Sequence, residues 1–282
     1  MWRNETKPFP QGAAVEILES FVDIHCHLIP GIDDGSKSWE ESLAMARMAV
    51  ADGIQTIIVT PHQLGTFGHN DGDTIRARTA ELQRVLDEHQ IALRVQPGGD
   101  VRIEPDMIAK LRTGEVMSLG DHRRHVLLEL PHELYFPLEP VLDGLHAADM
   151  VGILSHPERN QGLLKQPRLL EPLVERGCLM QVTAGSLMGT FGPQCQQMSD
   201  WMFEHGLVHF LATDAHGPNS RRPLIRRAFE RAAELAGLET AIEVCCRNPR
   251  AVSEGREIFV SRPQVRTKPA GISGWFRRRK AA

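Results

Sequence analysis

The sequence predicts an α/β fold of repeating βα units around a parallel sheet, and three observations carry that expectation. Short apolar runs alternate along the chain with amphipathic segments. Residues able to bind a cation recur just where those apolar runs end, as they do when strands of a parallel barrel present their C-terminal ends on one face. The chain is 282 residues long, 41% hydrophobic and 24% charged, which is ordinary globular composition and long enough to bury one large core.

Strands are expected near 21–25 (Phe21 to His25), 54–60, 92–96, 125–130, 151–154, 179–182 and 208–212, each rich in Val, Ile, Leu or Phe. The first helix between them is the best marked. Ser38 is its N-cap, Glu41 completes a capping box, and Gly53 ends it. Further helices are expected over 76–89, 140–148, 168–176, 194–204, 221–236 and 239–246. No internal repeat stands out beyond the βα rhythm.

The ends differ from this middle. Residues 1–20 form an N-terminal extension with Arg3, Glu5, Lys7 and two prolines but no apolar run, so no secretory signal is expected. Residues 261–282 contain Arg262, Arg266, Lys268, Arg277, Arg278, Arg279 and Lys280 without an acidic residue, and Pro263, Pro269, Gly271 and Gly274 interrupt any helix. That is the composition of a disordered basic tail. No stretch approaches about 18 uninterrupted apolar residues, the span a membrane helix needs, so a cytoplasmic protein is expected. The net charge of -4 points to neither nucleic acid nor membrane over the molecule as a whole.

Cys26, Cys178, Cys195, Cys245 and Cys246 are odd in number and form no C-x-x-C pair. They read as free buried thiols in a reducing compartment. A cysteine phosphatase needs an Arg six residues after its nucleophile; here those positions hold Ile32, Ala184, Trp201, Ala251 and Val252. That chemistry is excluded.

The strand ends carry the argument for function. His25 closes the first expected strand and His27 follows it; His62 lies just past the second and Asp100 past the third. Glu129 is near the end of the fourth, His156 follows the fifth, and Asp214 and His216 follow the seventh. Neutral imidazole and carboxylate suit Mn²⁺, Fe²⁺ or Zn²⁺ at about 2.0–2.2 Å. Strand alternation puts His25 and His27 on one side and Cys26 on the other, so Cys26 is expected as a packed thiol. One of Asp33 and Asp34 can reach a third metal, or both belong to an Asx turn before the helix. A mixed N/O set of this size favours a multinuclear site, of the kind that clamps a phosphoryl group between cations. Arg159 and Arg221 lie on the same rim, where a guanidinium matches a phosphate fork.

The segments Asp23-Ile24-His25-Cys26-His27, Asp33-Asp34-Gly35-Ser36, Thr60-Pro61-His62, Ser155-His156-Pro157-Glu158-Arg159 and Thr213-Asp214-Ala215-His216 resemble the PHP (polymerase and histidinol phosphatase) superfamily. Within it they are most similar to the manganese-dependent bacterial protein-tyrosine phosphatases of capsule and exopolysaccharide operons. Gln181-Val182-Thr183-Ala184-Gly185-Ser186 and Asn248-Pro249 are similar to that branch too. The resemblance implies a distorted (β/α)7 barrel, the TIM-barrel-like PHP fold, as a catalytic domain over residues 21–260. It implies three divalent metals, with Mn²⁺ foremost and Fe²⁺, Co²⁺ or Zn²⁺ as substitutes. One metal would take His25, His27, Asp100 and Asp214; a second would share Asp100 and take His62, Glu129 and His156. A third would lie near Asp34, His27 or Glu129, and His216. The family usually has Glu where this chain has Asp100, so a shorter side chain would have to bridge. Arg159 and Arg221 would bind phosphate. The implied reaction is direct in-line hydrolysis by a metal-activated hydroxide without a phosphoenzyme, with a water or His216 as proton donor to the leaving group.

The resulting expectation is a phosphatase acting on the tyrosine-phosphorylated tail of a membrane-bound bacterial kinase. A small-molecule phosphatase of the histidinol-phosphate type shares the metal logic, and a non-catalytic metal-binding regulator is the alternative from another class. A nuclease would need a basic stripe with interleaved aromatics, which the chain lacks outside its tail. An amidohydrolase with a carbamylated lysine would need that lysine where Glu129 stands. The tail, with Trp275 and Phe276 beside its cations, suggests weak attachment to an anionic membrane surface, at the inner face of the membrane.

Overall fold

Every pairing between named strands is parallel, as a chain of βα units requires. The structure is a computed structural model that describes residues 19–258; the extension before Glu19 and the basic tail after Ile258, with its suggested membrane contact, lie outside the described residues. The strands are β1 (Phe21–Cys26), β2 (Ile54–Val59), β3 (His62–Gln63), β4 (Arg94–Pro97), β5 (Asp100–Arg102), β6 (His125–Glu129), β7 (Val151–Ser155), β8 (Leu179–Thr183) and β9 (Phe210–Ala212). They form two sheets, ordered β1-β2-β4 and β3-β5-β6-β7-β8-β9.

Two interruptions make two sheets where the sequence suggested one. Thr60-Pro61 separates β2 from β3, and Gly98-Gly99 separates β4 from β5. Pro61 has no N–H to give a ladder, yet its carbonyl accepts from Asp100 N at 3.1 Å, while Thr60 N donates to Cys26 O at 2.9 Å. The glycines are needed for close approach: a Cβ on Gly98 would lie 2.7 Å from Ile58 Cγ2, and one on Gly99 2.3 Å from Gln63 Oε1. Each kinked strand therefore swings its last residues across to the second sheet. His62 and Asp100 are register partners there, which brings two of the expected ligands side by side.

At the other edge the backbone beyond β9 meets β1. Cys26 and Ala215 form an isolated parallel bridge. Asp214 N donates to His25 O at 2.7 Å and His27 N to Ala215 O at 2.9 Å. Asp23, fully buried within β1, adds a side-chain tie by accepting from Thr213 N at 3.0 Å. Burial drives its carboxyl up to about 6 against the hydrogen bonds from Thr213.

All residues of β1 and β8 are buried, the pattern of strands covered on both faces. A compact apolar cluster of Val22, Ile24, Ile58, Leu127, Ile153 and Phe210, joined by further residues, takes side chains from β1, β2, β6, β7 and β9. A larger cluster fills the space between strands and helices. Cys26 belongs to it, and all five cysteines are free and buried.

The helices follow the expected order with shifted ends. Trp39–Asp52 begins at Ser38, whose side chain accepts from Glu41 N, and stops at Gly53 in the left-handed conformation. The capping box is half made, because the Glu41 carboxylate accepts from Lys37 N at 2.8 Å instead of from Ser38 N. The next helix starts earlier than expected, at Gly72 behind an Asp71 N-cap. The last long one starts later, at Arg226, because residues 216–221 form a loop tied by His216 N to Arg221 O at 2.9 Å. Short helices at Met107–Thr113, Gln161–Lys165, Ala184–Leu187 and Asn248–Ser253 had no clear period in the sequence. Among the described residues no helix is long and apolar enough to cross a membrane.

Candidate metal centre

The sequence-predicted donors gather at the C-terminal ends of strands and at the two kinks. His25 lies within β1 and His27 just beyond it; His62 opens β3, Asp100 opens β5 and Glu129 closes β6. His156 follows β7, and Asp214 and His216 follow β9. His156 has φ 33°, Asp214 φ 50° and Arg221 φ 48°, left-handed values that cost on the order of 1 kcal/mol each for residues with a Cβ. Such strain persists where the surroundings over-determine it, and functional sites are its usual place.

The donor atoms fall into four overlapping groups, each with all its atoms within 4.8 Å of one another. His25, His27 and Asp100 make one; His62, Asp100 and Glu129 another; His27, Asp34, His62 and His216 a third; His25, His156 and Asp214 the fourth. Asp100 is shared between the first two, the position from which a carboxylate can bridge. The grouping departs from the set implied by the resemblance at three residues: Asp214 falls outside the group of His27 and Asp100, His62 also joins Asp34 and His216, and His156 changes partners. His156 sits with His25 and Asp214, its ring 5.6 Å from that of His25, and not in the group of His62 and Glu129.

Several observations test whether a cation suits this place. Nε2 of His25 and Nε2 of His27 face each other at 3.3 Å, a separation natural for two ligands of one ion. Both carboxylate oxygens of Asp100, Nδ1 of His62 and Nε2 of His216 are buried without a hydrogen-bond partner. Unsatisfied buried polar atoms cost about 1–3 kcal/mol each, so a cluster of them at one point asks for a shared partner. A divalent cation fits it.

The charges agree. Burial opposes a charge on His25, yet the Asp214 and Asp100 carboxylates push it up to about 9. His62 is raised still further against burial by the carboxylates of Asp100, Asp34 and Glu129 beside it. Despite their burial, Asp100 and Asp214 are held well below the usual carboxylate range, first by His25 and then by His62 for Asp100 and by Arg221 and Arg159 for Asp214. Burial and then the Asp100 charge raise Glu129. Burial, with His216 beside it, holds His27 down to about 4, and burial with Arg159 keeps His156 well below the usual histidine range. A pocket whose acids draw protons onto some imidazoles while burial strips them from others favours positive charge that needs no proton.

Arg159 and Arg221 are placed at the same point. Arg159 ends the turn Pro157–Arg159 after β7, and its Nη1 hydrogen-bonds Asp214 Oδ2. Arg221 Nη2 donates to the same oxygen at 2.6 Å. The other oxygen, Oδ1, faces His25 Nε2 at 3.2 Å, His27 Nε2 at 3.6 Å and His216 Nδ1 at 3.6 Å. Asp214 thus stands between the imidazoles and the guanidinium pair.

Other residues join the site that sequence reasoning passed over or left open. Asp33, whose side chain is buried where that of Asp34 is exposed, takes His27 Nδ1 at 2.7 Å and accepts from Gly35 N and His62 N. Gln181 Oε1 meets His25 Nδ1 at 2.8 Å. These partners make each Nδ1 the protonated nitrogen and turn each Nε2 toward the donors. Asp34 Oδ1 faces His62 and His216, each at 3.4 Å. The Phe191 ring lies 4.4 Å from the Arg159 guanidinium and 5.9 Å from that of Arg221. Adjacent like residues hid the division between Asp33 and Asp34. Nothing in the local pattern around Phe191 announced its place.

Comparison with known proteins gives a consistent result. Tyrosine-protein phosphatase YwqE of Bacillus subtilis (strain 168) is 37% identical over 202 residues, covering 71% of this chain and 79% of that protein. Putative tyrosine-protein phosphatase CapC of Staphylococcus aureus is 28% identical over 256 residues, covering 90% and 98%. Among solved structures, one from work on YwqE of Bacillus subtilis and CpsB of Streptococcus pneumoniae, described as unique metal-dependent tyrosine phosphatases, superposes with a TM-score of 0.81 at 33% identity, over 86% of this chain and 98% of that one. Residues 21–254 match the family described as capsular polysaccharide synthesis, CpsB/CapC. The chain belongs to the CpsB/CapC family.

Proposed function

We propose that this chain is a metal-dependent protein-tyrosine phosphatase of capsular or exopolysaccharide synthesis, acting on the phosphorylated tail of a membrane-bound tyrosine kinase from the cytoplasmic side. The observation that carries the reading is the division of Asp214, with one oxygen toward three imidazoles and the other toward two guanidinium groups. A place for cations and a place for a phosphoryl anion share one side chain. The names of the relatives support the substrate class.

The catalytic domain in this reading is residues 21–260, between an extension over 1–20 and a basic tail over 261–282. Its strands make one distorted (β/α)7 barrel, with β2 running into β3 and β4 into β5. The parallel contacts of Cys26 and His27 with Ala215 support closure.

Three Mn²⁺ ions are assigned from the donor groups. His25, His27 and Asp100 would hold the first with Asp214; His62, Asp100 and Glu129 the second; Asp34, His62 or His27, and His216 the third. His156 would serve beside His25 and Asp214. When bound, divalent cations acidify a water molecule and offset charge on phosphoryl oxygens. The chain's own groups do the rest. Arg159 and Arg221 present planar forks that match phosphoryl oxygens, and Phe191 braces both planes. Gln181 and Asp33 lock the imidazole tautomers. The leaving phenolate, whose acid has a pKa of about 10, needs only a water to supply its proton, because His216 as a ligand keeps its other nitrogen on Asp214 O at 3.0 Å.

Phosphate release from a phosphotyrosine peptide, a phosphoserine peptide, histidinol phosphate and a diester, with Mn²⁺ and with chelator, tests this. Release from the phosphotyrosine peptide that needs Mn²⁺ is expected. Preference for histidinol phosphate, or equal turnover in chelator, would overturn the proposal.

A further inference from the structure

Beside the candidate second cation group the surface opens into a cleft of about 180 Å³ lined by His62, Leu64, Thr66, Phe67, Arg102 and Glu129 among others. Its aromatic wall is Phe67, whose ring stacks on that of His62 with centroids 5.4 Å apart and planes 23° apart. None of the roles so far assigned uses Phe67, Thr66 or Arg102.

The wall is built to hold its position. Leu64 takes a left-handed φ of 70° and Gly65 one of 53°. Phe67 N donates to Leu64 O at 3.0 Å and Asn70 N to Phe67 O at 2.9 Å, closing the loop on itself. Asn70, buried at the loop's end, donates through Nδ2 to His62 O at 2.9 Å and Ile32 O at 3.1 Å. Gln63 Nε2 donates to Asn70 O at 2.7 Å while its Oε1 accepts from Met117 N at 2.7 Å. Gly65 N is held by Glu104 Oε1 at 3.0 Å. The Arg102 stem lies against Gly65 so closely that a Cβ there would sit 2.7 Å from Arg102 Cδ. Loops free to move do not spend so many internal hydrogen bonds on one half-buried ring.

We propose that this cleft is the seat of the substrate's aromatic ring, with Phe67 as the specificity-determining residue for aryl over alkyl phosphate esters. The inference rests on the phosphatase reading above. Three features converge on it. The cleft shares His62 and Glu129 with a donor group, so an ester whose phosphoryl group sits at the donors has its leaving group within reach of the cleft. A phenyl ring gains from an aromatic face at stacking or tilted distance. Arg102 at the rim adds a guanidinium for the π face or for an acidic residue beside the phosphotyrosine. An alkyl ester such as phosphoserine brings no ring to the cleft and forgoes those contacts.

The test uses two phosphonates that the enzyme cannot hydrolyse, phenylphosphonate and methylphosphonate, titrated calorimetrically into the Mn²⁺-loaded full chain, together with phosphate release from a phosphotyrosine peptide. Wild type is expected to bind phenylphosphonate about tenfold more tightly than methylphosphonate, equivalent to about 1.4 kcal/mol. Phe67→Ala removes that advantage, leaves methylphosphonate affinity as it was, and lowers kcat/KM on the peptide about tenfold; Phe67→Trp keeps most of both. Unchanged methylphosphonate binding also reports that the variant is folded. A wild type that hydrolyses the phosphotyrosine peptide but binds the two phosphonates equally, or a Phe67→Ala variant that weakens both equally, overturns the cleft and leaves the phosphatase reading standing. A wild type that neither hydrolyses the peptide nor binds either phosphonate overturns both.

Discussion

The donor cluster has two halves that differ in their exposure to water. His25, His27, Asp100 and Asp214 are buried, with the Asp100 side chain 0% exposed. Asp34, His62 and Glu129 face the opening, with Asp34 54% and Glu129 27% exposed. The inner half is also the better braced, by Gln181 behind His25, Asp33 behind His27 and two arginines on Asp214. Burial makes each interaction there stronger and each unpaired charge more costly. The outer half gives up strength for access, and the cleft walled by Phe67 opens on that side. A cation held by the inner half is therefore expected to exchange slowly, and one held by Asp34 quickly.

Four predictions test that contrast, taken from the largest effect down. Asp214→Asn removes the charge that both the imidazoles and the arginines face, and should lower kcat/KM by on the order of 10³-fold, comparable to losing a main electrostatic stabiliser of a transition state. Activity within a few-fold of wild type at saturating Mn²⁺ would show that the inner half is not central. Gln181→Ala and Asp33→Asn should each weaken cation binding about 10- to 100-fold, the usual loss when the partner of a ligating histidine is removed. If metal titrations instead match wild type, the bracing is incidental.

Asp34→Ala should act more mildly, losing the most weakly held cation while two remain, with activity recovered at higher Mn²⁺. Complete loss of all metal would contradict the division into halves. The smallest effect concerns the far ends of the strands. Burial holds His209 down to about 4, and burial with Arg124 and His122 nearby does the same for His125. Both folded values lie below the unfolded value of about 6.5. At these two sites the unfolded chain therefore binds more protons between pH 6.5 and 4, and their contribution to stability falls as pH falls through that window. His209 Nδ1 accepts from Met180 N at 3.0 Å, which a protonated ring cannot do. With chelator present throughout, the Tm of His209→Asn, which keeps an acceptor, should fall less than that of the wild type on going from pH 7 to pH 5. An unchanged pH profile in that variant would remove His209 from the account.

What could be read from the sequence divides along similar lines. The strand ends were legible because His and carboxylate at the close of apolar runs are chemically unusual and recur with the βα period. The kinks were not. β3 and β5 span only His62–Gln63 and Asp100–Arg102, too short for any period, and the tight approach at Gly98 and Gly99 depends on Ile58 and Gln63 from another strand. Asp33 and Asp34 have one chemistry and adjacent numbers, so only the loop's path separates a carboxylate braced on His27 from one facing His62 and His216. Phe67 and Phe191 were silent for the same reason: a lone aromatic in a glycine-bearing loop acquires meaning from what packs against it. His156 is expected from the sequence beside His62 and Glu129, but its left-handed backbone turns it toward His25 and Asp214, a direction that residue order does not give.

On the proposed reading these side chains together hold several divalent cations. Elemental analysis of the purified full chain after Mn²⁺ loading and gel filtration tests it most directly, with Asp100→Asn alongside. Close to three metal ions per chain are expected in the wild type and at most one when the shared carboxylate of Asp100 is neutralised. A wild-type chain that retains none, or an Asp100→Asn chain that retains as many as wild type, would contradict it.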